Sequence, residues 1–160
     1  SPLFRTWLIR SLSEDDRFQV VGYAVNALDA QEKIPLLQPD MLTLDIEMPG
    51  MSGIDFLKQL LPVHPIPVIL VSSLNLRVFD ALEAGAVDFV RKPDEANGLS
   101  KEIFLSTLRS KLVVAAASHV LLLLLQTLRQ AVSARFLLYL LPEILSRRNQ
   151  RFLWVLPLKQ

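Results

Sequence analysis

Apolar and polar residues are arranged along this chain in blocks that predict helices and strands in alternation. Phe4, Leu8 and Leu12 recur every four positions, which predicts an amphipathic first helix that ends near Glu14. Short apolar runs then alternate with helix-length amphipathic stretches. The predicted strands are 18–25, 41–44, 68–71 and 87–90, and the later helices are 27–37, 53–61, 78–84 and one that begins at 97.

This alternation predicts an α/β fold with a doubly wound parallel sheet and helices on both faces. Pro35 is expected to disturb the second helix, and Gly85 is suited to a left-handed helix end. Ligands of such sheets bind at the carboxyl ends of the strands, so polar residues at those ends are the candidates for chemistry.

Charge divides the chain after Ser118. Residues 1–118 carry 11 basic and 15 acidic side chains, whereas residues 119–160 carry 6 basic and 1 acidic. The acidic balance of the first part argues against a nucleic-acid surface, which needs clustered Lys and Arg. The chain has no cysteine, which excludes disulfides and thiolate metal sites, and no apolar stretch is long enough to predict a transmembrane span.

The second part is rich in Leu and Arg and has no glycine. We predict a domain over residues 1–117 and an appended, mainly helical segment over 118–160. A basic amphipathic helix on a membrane surface, or a segment foreign to the rest of the chain, are the alternatives. The run 152–156 also has the length and the Phe, Trp and Val content of a short buried strand.

Three polar residues each follow an apolar run at a predicted strand end. Asp45 ends "MLTLD", Ser72 ends "PVILVS" and Lys92 ends "VDFVRK". Each alone is typical of an ordinary loop cap, strand-end hydroxyl or surface charge. Together, at one edge of a parallel sheet, they would place a carboxylate, a hydroxyl and an ammonium around one small volume, an arrangement suited to phosphoryl transfer. A cis bond between Lys92 and Pro93 would further fix the lysine direction.

The stretches "LTLDIEMPGMSGIDFL", "PVILVSSL" and "GAVDFVRKP" resemble the receiver domains of bacterial response regulators, over residues 1–117. They further resemble the regulatory domain of the chemotaxis protein-glutamate methylesterases. The resemblance implies a flavodoxin-like receiver fold. It also implies a cytoplasmic phosphorelay role with a histidine kinase as partner and an effector domain downstream.

The resemblance also assigns roles by position. Asp45 matches the phosphoacceptor, Ser72 the switch hydroxyl, Lys92 the phosphate-binding lysine and Phe89 the switch aromatic. Asp45 and the backbone carbonyl of Glu47 match ligands of Mg²⁺.

Receivers begin with an apolar strand that ends in two acidic residues, and nothing in this sequence matches that strand. We therefore expect the first strand and the acidic pair to be missing, with weak or absent Mg²⁺ binding. In the family that strand is central in the sheet, and the run 152–156 could fill its place without bringing carboxylates.

Two other functional classes compete with the phosphoacceptor hypothesis. One is a receiver-like binding module that has lost phosphorylation and acts through protein contacts. The other is a flavodoxin-like nucleotide or flavin enzyme, for which no Gly-rich phosphate loop is found. Nothing resembles the nucleophile region of the methylesterase catalytic domain, so this chain is not expected to hydrolyse esters.

Overall fold

The computed structural model describes residues 2–73, 78–94, 98–130 and 150–155. Its helices are α1 (Pro2–Ser13), α2 (Ala27–Leu37), α3 (Gly53–Leu60), α4 (Val78–Glu83) and α5 (Lys101–Gln130). Its strands are β1 (Phe18–Ala24), β2 (Met41–Asp45), β3 (Val68–Ser72), β4 (Asp88–Arg91) and β5 (Gln150–Val155). The helices and strands alternate as the sequence pattern predicts, up to α5.

The five strands form one parallel sheet in the order β1-β5-β2-β3-β4. Every residue of β2 and β3 is buried, which explains why both strands read as continuous apolar runs rather than alternating ones. In a parallel sheet all carboxyl ends lie at one edge, so the ends of β2, β3 and β4 are brought together there.

The slot between β1 and β2 is filled by β5. Phe152 lies opposite both Val20 of β1 and Met41 of β2, so β5 is hydrogen-bonded on both sides. The mainly helical segment expected over 118–160 is thus helical as far as Gln130 but provides a central strand at 150–155. The expectation of a strand near 152–156 is confirmed for its described part, 152–155. Between β1 and β2 a strand can pair with backbone groups on both sides, which a helix cannot do.

Two apolar layers cover the faces of the sheet. One, against α2, α3 and α4, includes Ile34, Phe56, Leu57, Leu70 and Ala81. The other, against α1 and α5, is centred on Leu8, Leu12, Phe104, Leu108 and Leu112, all 1% exposed or less. The apolar positions of the first helix that the sequence predicts are therefore those that anchor α1.

The residues at the ends of the helices explain where several of the helices begin and end. Asn26 caps α2 by accepting a hydrogen bond from Asp29 N at 2.9 Å, and Gln38 ends the helix in the left-handed conformation. Pro35 lies inside α2, which nevertheless continues to Leu37. Gly85 follows α4 with φ +101°, the left-handed backbone expected from its position. The last helix was expected to begin at 97 and begins at Lys101.

α5 crosses the predicted boundary at 117 without a break and is 30 residues long. Among the described helices none has an apolar stretch sufficient to cross a bilayer.

Candidate functional site

The three strand-end residues predicted from the sequence lie at the carboxyl edge of the sheet. Asp45 is the last residue of β2, Ser72 is the last residue of β3, and Lys92 follows directly after β4. The register holds these ends level, because Asp45 lies opposite Val71 and Ser72 lies opposite Arg91. The backbone N–H of Lys92 also donates to the Ser72 carbonyl at 2.9 Å.

Asp45 is the buried carboxylate at the centre of this edge, 2% exposed. The ammonium of Lys92 donates to its Oδ2 at 2.5 Å, and the backbone N–H of Glu47 donates to its Oδ1 at 3.0 Å. Burial raises the pKa of Asp45 above its ordinary value, and Lys92 and the Glu47 N–H offset part of that rise. The ionisation of the Asp45 carboxyl therefore depends on its lysine partner.

Glu47 takes part through its side chain, which sequence reasoning missed. Its Oε2 accepts hydrogen bonds from Lys92 Nζ and from Ser73 Oγ, both at 3.2 Å. Lys92 thus bridges two carboxylates. The sequence feature that could have indicated this role is the acidic residue two positions after Asp45, for which the resemblance implies only a backbone carbonyl role.

Ser72 is 4% exposed and lines a cavity of about 460 Å³ at the carboxyl edge. The cavity is also lined by residues of the loop after β2, namely Ile46, Glu47, Met48, Gly50, Met51 and Ser52. A small ligand in this cavity would contact Ser72 at the end of β3, the strand next to the one that ends at Asp45.

Phe89 lies on β4, the strand at one edge of the sheet, and packs against the α2, α3 and α4 layer. The ammonium of Lys111, from α5, lies 5.2 Å from the centre of its ring and 2.6 Å from Asp88 Oδ1. Asp88 Oδ1 also accepts from the Phe89 N–H at 2.7 Å. The ring is therefore held from the α5 side by a charged pair that the sequence did not reveal.

Gly53 fixes how closely α3 approaches the carboxylate. A Cβ at this position would lie 2.2 Å from the Asp45 carbonyl oxygen and 2.9 Å from Ile46 Cα. Its backbone N–H donates to the Ile46 carbonyl at 2.9 Å. Only glycine allows the start of α3 to pack against the end of β2 in this way.

The Lys92–Pro93 peptide bond is trans, because no peptide bond among the described residues is cis. The lysine direction is instead set by its own backbone bond to β3 and by its two carboxylate partners.

Magnesium prefers near-octahedral oxygen ligands and usually takes one or two carboxylates with several waters. The described part of this edge offers Asp45 and Glu47, and Lys92 already lies against both carboxylates. Nowhere in the described residues do three or more His, Cys, Asp or Glu side chains group as a metal site. The neighbouring strand β5, of sequence QRFLWV, carries no carboxylate. This donor set does not fit a strong magnesium site.

The arrangement can support nucleophilic attack on phosphorus. A buried carboxylate oxygen is the nucleophile, and a neighbouring ammonium can balance the charge of the phosphoryl oxygens. No nucleotide is needed for such chemistry, since the phosphoryl group can come from another protein or a small molecule.

Comparison with known proteins defines the class. The family model described as the response regulator receiver domain matches residues 1–104. The chain therefore belongs to the response regulator receiver domain family.

Within this family the chain is similar to the regulatory part of protein-glutamate methylesterases. It is 46% identical over 119 residues to protein-glutamate methylesterase/protein-glutamine glutaminase 2 of Syntrophomonas wolfei, covering 74% of this chain and 35% of that protein. It is 47% identical over 126 residues to the corresponding enzyme of Syntrophotalea carbinolica, covering 75% of this chain and 35% of that protein. The chain thus spans about a third of the length of these curated relatives.

Solved structures agree. The response regulator domain of Thermotoga maritima CheB is 37% identical, with a TM-score of 0.65, covering 72% of this chain and 89% of that one. A chain of the CheX-CheY-BeF3-Mg+2 complex from Borrelia burgdorferi is 30% identical, with a TM-score of 0.53, covering 68% of this chain and 83% of that one. The flavodoxin-like receiver fold expected from the sequence is confirmed.

Proposed function

We propose that this chain is a phosphoacceptor domain in which Asp45 takes a phosphoryl group from a histidine kinase. The observation that carries the proposal is the buried Asp45 carboxylate with the Lys92 ammonium 2.5 Å from its Oδ2. A lysine at this distance lowers the pKa of the carboxyl against the effect of burial and so favours the ionised form, which is the nucleophile.

In the proposed transfer an Asp45 carboxylate oxygen attacks the phosphorus of a phosphohistidine. A P–O bond forms to Asp45 as the P–N bond breaks, and the departing imidazole nitrogen takes a proton from solvent. The product is an aspartyl phosphate. Lys92 then donates a hydrogen bond to a phosphoryl oxygen in place of one to the carboxylate, and its positive charge balances the added negative charge.

Ser72 and Phe89 are proposed to convert the chemistry into a change of shape. Ser72 lies at the end of the strand next to Asp45, where its hydroxyl can donate to a phosphoryl oxygen. Movement of Ser72 towards the phosphate would open space that the Phe89 ring enters. The face formed by α4, β4 and α5 would change as a result.

Receiver domains generally bind Mg²⁺ through acidic residues, and we infer that binding here is weak or absent. The support is the donor set of Asp45, the Glu47 carbonyl and the Glu47 side chain, with Lys92 competing for both carboxylates. For any Mg²⁺ that does bind, we propose the Glu47 backbone carbonyl as a ligand beside Asp45.

The similarity to methylesterases supports a regulatory role in chemotaxis signalling in the cytoplasm, with an effector domain as the partner that responds. The chain matches about a third of those proteins, within their receiver region. We therefore propose that it regulates and does not itself hydrolyse esters. The alternative of a phosphorylation-deficient binding module is not favoured by these comparisons.

The test is incubation with a small phosphodonor, with and without Mg²⁺, followed by intact-mass spectrometry. We expect slow, substoichiometric labelling that Asp45→Asn abolishes, whereas Asp80→Asn, at an exposed position of α4, leaves it unchanged. Labelling that survives Asp45→Asn would refute the acceptor. Rapid, stoichiometric labelling that requires Mg²⁺ would refute the weak metal site alone.

A further inference from the structure

The aromatic ring of Phe89 lies at the outer edge of the sheet. β4 is the last strand in the sheet order, so no further strand flanks it among the described residues. The ammonium of Lys111 is 5.2 Å from the ring centre, although α5 packs on the face of the sheet opposite to the layer that contains Phe89. A side chain of α5 can reach this ring only around the free edge of β4. The half-buried ring therefore points outward in this structure.

Ser72 lies on the same face of the sheet as Phe89. Phe89 is opposite Leu70 of β3, and both residues belong to the α2, α3 and α4 layer. Side chains two positions apart on a strand share a face, which places Ser72 on this face as well. Diagonal neighbours on adjacent strands are about 7 Å apart, a separation that an aromatic side chain can cross. The ring can therefore lie outward beside Lys111 or inward beside Ser72.

Asp88 holds Lys111 in place through bonds that do not involve the ring. Its Oδ1 accepts hydrogen bonds from Lys111 Nζ at 2.6 Å and from the backbone N–H of Phe89 at 2.7 Å. When the ring turns inward, Lys111 can stay bound to Asp88, and only the contact between the ammonium and the ring is lost. That contact therefore stabilises the outward position of the ring and not the inward one.

We propose that Lys111 is a positioning residue that holds the Phe89 ring outward and so slows phosphorylation of Asp45. This role rests on the proposed function, in which the ring moves inward as Ser72 moves towards the phosphate. A contact made in only one of two states shifts the equilibrium between them by its own free energy. For a cation beside an aromatic ring at a partly exposed site, the shift corresponds to a factor of about two to five.

Removing the ammonium of Lys111 should therefore raise the population of the inward ring. The activity of a protein whose competent state is a minor one is reduced by the fraction of molecules in that state. If the inward ring is the competent state for phosphoryl transfer, the rate of Asp45 labelling rises by the same factor as its population. The effect of Lys111 is thus measurable as a rate, although Lys111 does not touch the reacting atoms.

The test compares initial rates of Asp45 labelling by a small phosphodonor, followed by intact-mass spectrometry. Lys111→Met should be labelled about two- to fivefold faster than the unaltered chain. Lys111→Arg keeps a cation beside the ring and should keep the original rate. An unchanged or slower rate in Lys111→Met, or an equal acceleration in both variants, overturns the proposal.

Lys101→Met is the matched control. Lys101 is also a lysine of α5, and its ammonium lies 5.8 Å from the centre of the Trp7 ring. The variant removes a similar contact from the same helix and leaves Phe89 untouched, so the labelling rate should not change. If Lys101→Met accelerates labelling as much as Lys111→Met does, the cause is a general loosening of α5 and the role assigned to Lys111 is wrong.

A double variant tests whether Lys111 acts through the ring. In Phe89→Leu there is no aromatic ring for the ammonium to hold. Adding Lys111→Met to Phe89→Leu should therefore give no further acceleration of labelling, which makes the two substitutions non-additive. An acceleration that persists in the Phe89→Leu background shows that Lys111 acts by another route and overturns the proposal.

The position of the ring can also be measured without phosphorylation. In Lys111→Met, nuclear Overhauser contacts between the Phe89 ring and the Ser72 side chain should strengthen in the absence of any phosphodonor. If the unaltered chain is not labelled at all, the phosphoacceptor proposal fails, and these contacts alone decide the role of Lys111. Contacts of unchanged strength in Lys111→Met would show that Lys111 does not hold the ring outward.

Discussion

The ammonium of Lys92 and the carboxylate of Asp45 are joined at 2.5 Å although 47 positions separate them in the chain. The pair forms because β2 and β4 flank β3 in a parallel sheet and end at the same edge. It links the residue proposed to accept the phosphoryl group with the residue proposed to balance its charge.

Removing the lysine should destabilise the fold and raise the pKa of Asp45 further. Lys92→Met leaves a carboxylate that is 2% exposed without its cation, at a cost of about 3 kcal/mol at neutral pH. Chemical denaturation at pH 7 measures the loss. Lys92→Arg, which retains the charge, should recover most of it, and equal losses in both variants would argue against the charge as the cause.

Asp45→Asn should stabilise the protein at neutral pH. Burial raises the pKa of Asp45, so the folded state binds its proton more tightly than the unfolded state does. Above the pKa of Asp45 in the folded state, the ionised carboxylate therefore lowers the free energy of unfolding. This loss disappears below the pKa of the unfolded state, which is about 4. Thermal unfolding should show a higher midpoint for Asp45→Asn at pH 7 and no difference near pH 3.5. A gain that is independent of pH would contradict this origin.

Gly53→Ala should lower stability by about 2 kcal/mol and slow labelling of Asp45, because the added Cβ displaces the end of β2. Gly50→Ala is the matched control. Gly50 has φ +80°, but no atom lies within 4 Å of its Cβ position. The loss of stability in Gly50→Ala should therefore come from backbone strain alone, about 1 kcal/mol, and labelling of Asp45 should be unchanged. Equal effects of the two variants on labelling would refute the positioning role of Gly53.

Lys111→Met should free the Phe89 ring from the α5 side. The variant loses the ion pair with Asp88 and the ammonium next to the ring, and the expected cost in stability is about 1 kcal/mol. The side-chain NMR signals of Phe89 should broaden or shift. Lys111→Arg keeps both contacts and should retain the original signals, and unchanged signals in Lys111→Met would show that the pair does not hold the ring.

Deleting residues 150–160 should cost several kcal/mol of unfolding free energy, since it removes a strand paired on both sides. Deleting 156–160 alone keeps β5 and is the control. If the larger deletion leaves the denaturation midpoint unchanged, β5 is not part of the folded sheet.

The sequence by itself determined the alternation of helices and strands, because buried parallel strands must be apolar throughout and amphipathic helices must repeat every three to four residues. The bounds of α2 were predicted as observed, and β2, β3 and β4 were placed within one or two residues. Asp45, Ser72 and Lys92 could be singled out because strand ends in such a sheet converge on one edge.

Only the tertiary structure decided which contacts these residues make. The Glu47 side chain joins Lys92 through the course of the loop after β2, and Lys111 reaches Phe89 across the edge of the sheet from α5. Neither contact leaves a local pattern in the sequence. The Phe, Trp and Val content of 150–155 indicated a strand, but only the structure decided its place in the sheet. β5 lies between β1 and β2, where it pairs with backbone groups of both strands that would otherwise lack a partner.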